Sequence, residues 1–304
     1  MSEAANSPAM KFAITPDLRI AYEEYGGGAA DAVILLHGFP DDPRAWEEVA
    51  RSVASHGCRA IVPYLRGFGE TRFRSPEAFR SGQQAAIGQD VVALMDALGI
   101  PRAILAGYDW GCRAACVAAA LWPERVRGII PVAGYTIQDI RGAARPAPPE
   151  VEQQFWYQWY FQTERGRRGL EKFRRELSAL LWRLWSPNWN STREEFDRTA
   201  ASFDNPDFVD IVIHSYRHRC GAAPGGPALE SLEQRLADQP SISAPAIVLS
   251  GEADPLRPPP RLKDDRKHFT ASYELIVVPR AGHFLPHEAP ASVSEAVLKL
   301  MRTS

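Results

Sequence analysis

Residues Ala103 to Gly111 read A-I-L-A-G-Y-D-W-G, an apolar run that ends in a carboxylate held between two glycines. Ala103 to Ala106 has the composition of a strand buried on both faces, and the alanine-rich stretch from Gly111 to Trp122 has helical character. Where a strand turns sharply into a helix, the residue at the turn is exposed at the carboxyl edge of the sheet, and small neighbours let the backbone pass. Here that residue is Asp109. A carboxylate at such a turn is ionised at neutral pH and can attack without help from a base.

The segments on either side extend the same pattern. Phe12–Thr15 and Leu18–Tyr25 read as a hairpin around Pro16-Asp17, closed by Gly26-Gly27-Gly28. Ala32–Leu36 is a buried strand leading into His37-Gly38-Phe39-Pro40, and Ala60–Val62 leads into Leu65-Arg66-Gly67-Phe68-Gly69. Helical spacing marks Arg44–Ser55 and Gln83–Leu98, the latter stopped by Gly99 and Pro101. Val126–Ala133 is a further strand. Past Tyr135 the alternation stops: Arg141–Pro149 is linker-like, Glu150–Asn205 is charged, aromatic and helical in pattern, and Val209–Cys220 reads as another helix. Strand and helix resume with Ala246–Leu249, Tyr273–Val278 and Ser292–Met301. The expectation is one α/β core with a parallel sheet, residues 1–136 and 241–304, interrupted by a helical cap over residues 137–240.

At 304 residues, with 24% charged and 45% hydrophobic residues, the composition is that of a soluble globular protein. A formal charge of -2 gives no general attraction to nucleic acid or to an anionic membrane. Met1–Met10 lacks the basic and apolar regions of a secretory signal, and no stretch approaches the ~20 apolar residues of a membrane span, so a cytoplasmic location is expected. Cys58, Cys112, Cys116 and Cys220 form no metal-binding or staple-like pattern, so reduced thiols are expected, with no metal or cofactor.

Two more chemical groups follow core strands: Asp254 in S-G-E-A-D after Ala246–Leu249, and His283 in A-G-H-F after Tyr273–Val278. Sites in parallel sheets lie beyond the carboxyl ends of the strands, so Asp109, Asp254 and His283 are expected to converge. Attack by Asp109 on a saturated carbon would leave an alkyl ester, which a water deprotonated by His283, oriented by Asp254, would hydrolyse. The oxyanion of that second step calls for donors, expected at the backbone N–H groups of Phe39 and Trp110. Trp156, Trp159, Trp182, Trp185 and Trp189 read mainly as cap core; any that lined a cavity would favour a bulky or aromatic substrate.

These stretches together resemble the α/β-hydrolase superfamily and, within it, the epoxide hydrolases. The resemblance rests on His37-Gly38-Phe39-Pro40, Arg66-Gly67-Phe68-Gly69, Gly107-Tyr108-Asp109-Trp110-Gly111, Asp254 and Gly282-His283-Phe284. It implies a mostly parallel eight-stranded sheet flanked by helices, and two cap tyrosines that hydrogen-bond the epoxide oxygen. Tyr157, in Y-Q-W-Y-F-Q, and Tyr216, before Arg217, match those positions. The implied partners are an apolar or aromatic epoxide and water, with His37, Trp110 and Trp159 against the substrate; the assembly state stays open, a homodimer included. Tyr64 stands where relatives commonly carry aspartate, which leaves the ion pairing of Arg66 open.

Haloalkane dehalogenases resemble the chain too, since Trp110 follows the nucleophile as their halide-binding tryptophan does; Phe39 stands where asparagine often follows their His-Gly, but others of them use a second halide-binding tryptophan, a role open to a cap tryptophan here. Fluoroacetate dehalogenases are similar at Trp159, Tyr216 and Arg113, a match to one of their carboxylate-binding arginines. They carry arginine in place of Trp110 and histidine in place of Gln158. A non-catalytic ligand-binding protein on the same fold would not need the intact set of Asp109, Asp254 and His283.

Overall fold

A computed structural model describes residues 8–27 and 31–303. The first seven residues, most of the segment read as free of a signal, lie outside the described residues, as does Gly28 of the expected hairpin end. The strands are β1 (Lys11–Ile14), β2 (Leu18–Tyr25), β3 (Ala32–Leu36), β4 (Arg59–Pro63), β5 (Arg72–Phe73), β6 (Ala103–Tyr108), β7 (Val126–Val132), β8 (Ala246–Gly251) and β9 (Tyr273–Val278). They form one sheet in the order β1-β2-β4-β3-β6-β7-β8-β9, with the two-residue β5 pairing β2 off this path. The path thus has the eight strands expected. The unanticipated β5 is too short to leave a periodic signal.

The β1–β2 and β2–β4 pairs are antiparallel, and every pair from β4 to β9 is parallel. Central strands β3 and β6 are buried at every position, which explains their unbroken apolar sequences. Helices α1 (Glu47–Ser55), α2 (Gln84–Ala97) and α3 (Trp110–Leu121) flank this half. Small residues let α2 and α3 sit close together: a Cβ at Gly88 would lie 2.3 Å from Val117.

Between β7 and β8 there is no strand. The chain instead forms α4 (Pro149–Gln154), α5 (Trp156–Phe161), α6 (Glu164–Trp185), α7 (Arg193–Ala200), α8 (Phe208–Arg219) and α9 (Glu230–Ala237). Thr163 caps α6 through the Gly166 N–H, and Thr192 with Glu195 forms a capping box on α7. Two single turns, α10 (Pro259–Leu262) and α11 (Leu285–Glu288), and the terminal α12 (Pro290–Thr303) complete the fold. No helix among the described residues is long and apolar enough to cross a membrane.

Candidate active site

The turn after β6 holds Asp109 at φ 50 and ψ -117, a backbone conformation that is costly for a residue with a Cβ. Close approaches keep it there. A Cβ at Gly111 would lie 2.0 Å from the Leu36 carbonyl oxygen, and one at Gly107 would lie 2.4 Å from the Gly111 carbonyl. Both glycines are therefore required by backbone contact. The Phe39 N–H, in the loop after β3, donates to Oδ1 of Asp109 at 2.8 Å. Trp110 begins α3, so its N–H has no acceptor within the helix. Burial opposes ionisation of Asp109, but the neighbouring His283, with the charge of Arg113 and the Phe39 N–H, outweighs it and lowers its pKa.

His283 stands beyond β9, and Nδ1 meets Oδ2 of Asp254 at 2.9 Å. The other Asp254 oxygen accepts the N–H groups of Leu256 at 2.8 Å and Arg257 at 3.3 Å. This fixes the carboxylate and the proton on Nδ1 of the ring. Nε2 is thereby turned to Asp109, 3.8 Å from Oδ2. Burial pushes the imidazole down, but the charge of Asp254, the nearby Asp109 carboxylate and the hydrogen bond to Asp254 push it further up, to about 10. Asp109, His283 and Asp254, expected to converge, do so.

The backbone of the histidine loop is held from the inserted helices. Ser186, just past α6, accepts the N–H groups of His283 at 2.9 Å and Phe284 at 3.1 Å, and donates to Glu288 at 2.5 Å. Glu288 in turn accepts the Gly282 N–H at 2.7 Å. Neither residue was singled out in the sequence, because a serine after a helix and a glutamate in a one-turn helix carry no local signal for a contact this distant.

A cavity of about 550 Å³ opens on Asp109 and His283, with Phe155, Tyr157 and Gln158 in its wall. Tyr157 is buried, and burial pushes its phenol up to about 12; burial also raises that of Tyr216 well above the ordinary phenol value. Both are therefore neutral O–H groups at neutral pH. Their rings meet edge to face at 5.3 Å, and Tyr216 lies behind the cavity wall against Phe39 and Trp110.

Three expected substrate contacts are placed elsewhere. Both ring nitrogens of His37 are used locally: Nε2 accepts the Leu65 N–H at 3.0 Å, and Nδ1 meets the Gly38 carbonyl at 3.0 Å. Burial lowers its pKa to about 4, and the neutral ring ties the loop after β3 to the loop after β4. Trp159 is 47% exposed, its indole N–H donating to Glu152 on the surface. Trp110 is fully buried among Phe39, Phe68 and Tyr216.

Among the described residues no tryptophan lines the cavity, and the expected apolar wall also carries Arg113, Arg219, Arg257 and Arg261. Trp182 instead donates its indole N–H to the Pro40 carbonyl at 2.8 Å. Arg66, left open by Tyr64, forms a bidentate pair with Asp90 at 2.6 Å.

A family model described as alpha/beta hydrolase fold matches residues 31–290. An epoxide hydrolase of Caballeronia sordidicola is 25% identical over 91% of this chain and 89% of its own. Epoxide hydrolase A of Mycobacterium tuberculosis is 25% identical over 97% and 98%. A crystal structure from Klebsiella pneumoniae, provisionally named an epoxide hydrolase, superposes with a TM-score of 0.96 at 40% identity, covering 99% of this chain and 100% of that one. The chain belongs to the α/β-hydrolase fold family, in the branch whose members carry the name epoxide hydrolase.

Proposed function

We propose that the protein hydrolyses epoxides to vicinal diols through an alkyl ester on Asp109, with residues 137–240 acting as a cap over the site. The observation that carries this reading is that a low-pKa carboxylate, Asp109, and a neutral phenol, Tyr157, face one cavity together with His283. A carboxylate oxygen attacks one ring carbon, and the carbon–oxygen bond of the epoxide breaks. The departing oxygen stays attached to the product and takes a proton from a tyrosine hydroxyl, Tyr157 with Tyr216 behind it.

The second half of the reaction follows from the charges. Esterification neutralises Asp109, which removes one of the two carboxylates that hold the His283 proton. His283 then passes its proton to the phenolate left by ring opening, which restores the tyrosine, and becomes a base able to take a proton from water, with its imidazolium stabilised by Asp254. Water adds to the ester carbonyl, whose oxygen is received by the N–H groups of Phe39 and Trp110. Collapse of that intermediate frees the diol and restores the carboxylate. General-base help of this kind is worth roughly 10²–10⁴ in rate.

The test is a turnover panel of epoxides and haloalkanes, coupled to a single turnover in oxygen-18 water. Diol should form, with the label first appearing in the Asp109 carboxylate. Halide release with no diol from any epoxide would transfer the site to the dehalogenases, and label appearing directly in the first product would exclude the ester.

A further inference from the structure

The cavity that holds Asp109 carries an excess of positive charge. Of its arginines, Arg257 is paired with Asp265 at 2.6 Å, and Asp139, also in the wall, is paired with Arg145. Arg113 on α3 and Arg219 at the end of α8 have no ion-pair partner among the described residues. Arg113 is 7% exposed, and its Nη1 has no hydrogen-bond acceptor. A buried guanidinium nitrogen without an acceptor is costly, and in a cavity wall it signals a missing partner.

The two guanidinium groups are joined by a neutral group. With its carboxamide oxygen turned toward them, Gln138 accepts from Nε and Nη2 of Arg219 at 2.6 Å each and from Nε of Arg113 at 3.1 Å. The opposite orientation would set amide donors against guanidinium donors. Gln138 fixes the two forks but cancels no charge. Burial, followed by the nearby charge of Arg219, lowers the Arg113 pKa to about 10. Asp109 is the carboxylate that offsets this cluster, and the proposed reaction converts that carboxylate to a neutral ester. The positive charge would then be left uncompensated at the step when the substrate is bound covalently.

We propose that Arg113, Gln138 and Arg219 form a carboxylate subsite, so that the epoxide opened at Asp109 is itself an epoxy acid. The substrate class rests on the epoxide reading above; the anion subsite does not. A carboxylate matches the planar guanidinium fork, with two parallel N–H donors for its two oxygens. It also supplies the negative charge that esterification removes from Asp109. Arg113 lies one helical turn beyond Asp109, and Arg219 reaches the same place from the cap, so binding the anion would also hold the cap to the core.

The experiment compares 3-phenylglycidate with its neutral amide, 3-phenylglycidamide, as substrates, and 3-phenylpropionate with 3-phenylpropionamide as unreactive ligands in calorimetry. The carboxylate should exceed the amide in both kcat/KM and affinity by about tenfold or more. That preference should disappear in Arg219→Met, whose side chain is only half-buried, and in Arg113→Met where the variant folds. Amide and carboxylate acting alike, or a preference that survives Arg219→Met, overturns the subsite and leaves epoxide hydrolysis standing. Binding of 3-phenylpropionate that is lost in Arg219→Met, with neither epoxide hydrolysed, upholds the subsite and removes the epoxide reading. Absence of both binding and turnover removes both.

Discussion

Nε2 of His283 lies 3.8 Å from Oδ2 of Asp109, an ion-pair separation, while Nδ1 of the same ring is bound to Asp254 at 2.9 Å. The histidine thus answers to two carboxylates, of which the proposed reaction consumes one. In the free protein the imidazole is held protonated, up to about 10. In the ester form its pKa falls, because the Asp109 contribution is gone. Single-turnover hydrolysis of the ester should therefore show an acid limb well below pH 10, read from the rate against pH. An acid limb at or above pH 10 would contradict the proposed base. Consistently, His283→Gln should allow alkylation and retain the ester, detected as a mass increase on intact protein.

The two phenols divide the work unequally. Tyr157 lines the cavity, whereas Tyr216 lies behind it in edge-to-face contact. Tyr157→Phe should lower the alkylation rate by about 10²-fold or more, and Tyr216→Phe by less, as measured by stopped-flow fluorescence of the buried tryptophans. Full-rate alkylation in both variants would exclude them as the oxygen-activating pair.

Ser186 positions the histidine loop without entering the cavity. Removing its hydroxyl in Ser186→Ala leaves the Phe284 N–H without its acceptor, while the His283 N–H keeps the Trp185 carbonyl at 3.1 Å and Glu288 keeps the Gly282 N–H. A stability loss of about 1–3 kcal/mol is expected from denaturant titration. The sharper readout is kinetic. kcat should fall about tenfold with KM nearly unchanged, because substrate contacts remain while the base is misaligned. An equal change in both parameters would point to a general loosening of the inserted helices.

Asp42 gives a pH dependence of the opposite kind to that of an exposed carboxylate. It is buried, accepting from Ser202 at 2.6 Å and from the Arg44 N–H at 2.8 Å, and burial followed by the charge of Asp41 raises its pKa to about 8. The folded protein therefore holds this proton more tightly than the unfolded chain does. The stability it contributes is fully present below the ordinary carboxylate pKa of 3.8 and is lost as pH rises through about 8. Asp42→Asn is free of that loss, so the variant should gain on the wild type by at least about 1 kcal/mol between pH 5 and pH 9. Thermal melts of both proteins at the two pH values check this; a constant difference would count against it.

How much of this was legible in the sequence depended on how local the determining physics is. The turn at Asp109 is governed by contacts among Gly107, Gly111 and the neighbouring strand, so its composition announced it. Asp254 and His283 were readable because each follows a buried core strand. His37 was misread as a substrate contact because its partner is the Leu65 N–H, and no spacing rule links those two loops. Trp159 was misread for a related reason: nothing in an aromatic run says which ring turns outward. Arg113 was noted only through a resemblance, and its partners escaped because Arg113, Gln138 and Arg219 belong to a core helix, the loop after β7 and the end of α8, and meet only after folding.

The last turn of α6 touches two separate parts of the chemistry. Trp182 is bonded to Pro40, the neighbour of Phe39 in the loop after β3, and Ser186 is bonded to the backbone of His283. The inserted helical segment is consequently not an interchangeable cassette. A segment transplanted from a relative, even one of matching length and shape, would disturb donor and base together unless it brought a hydrogen-bonding indole and a hydroxyl four residues apart.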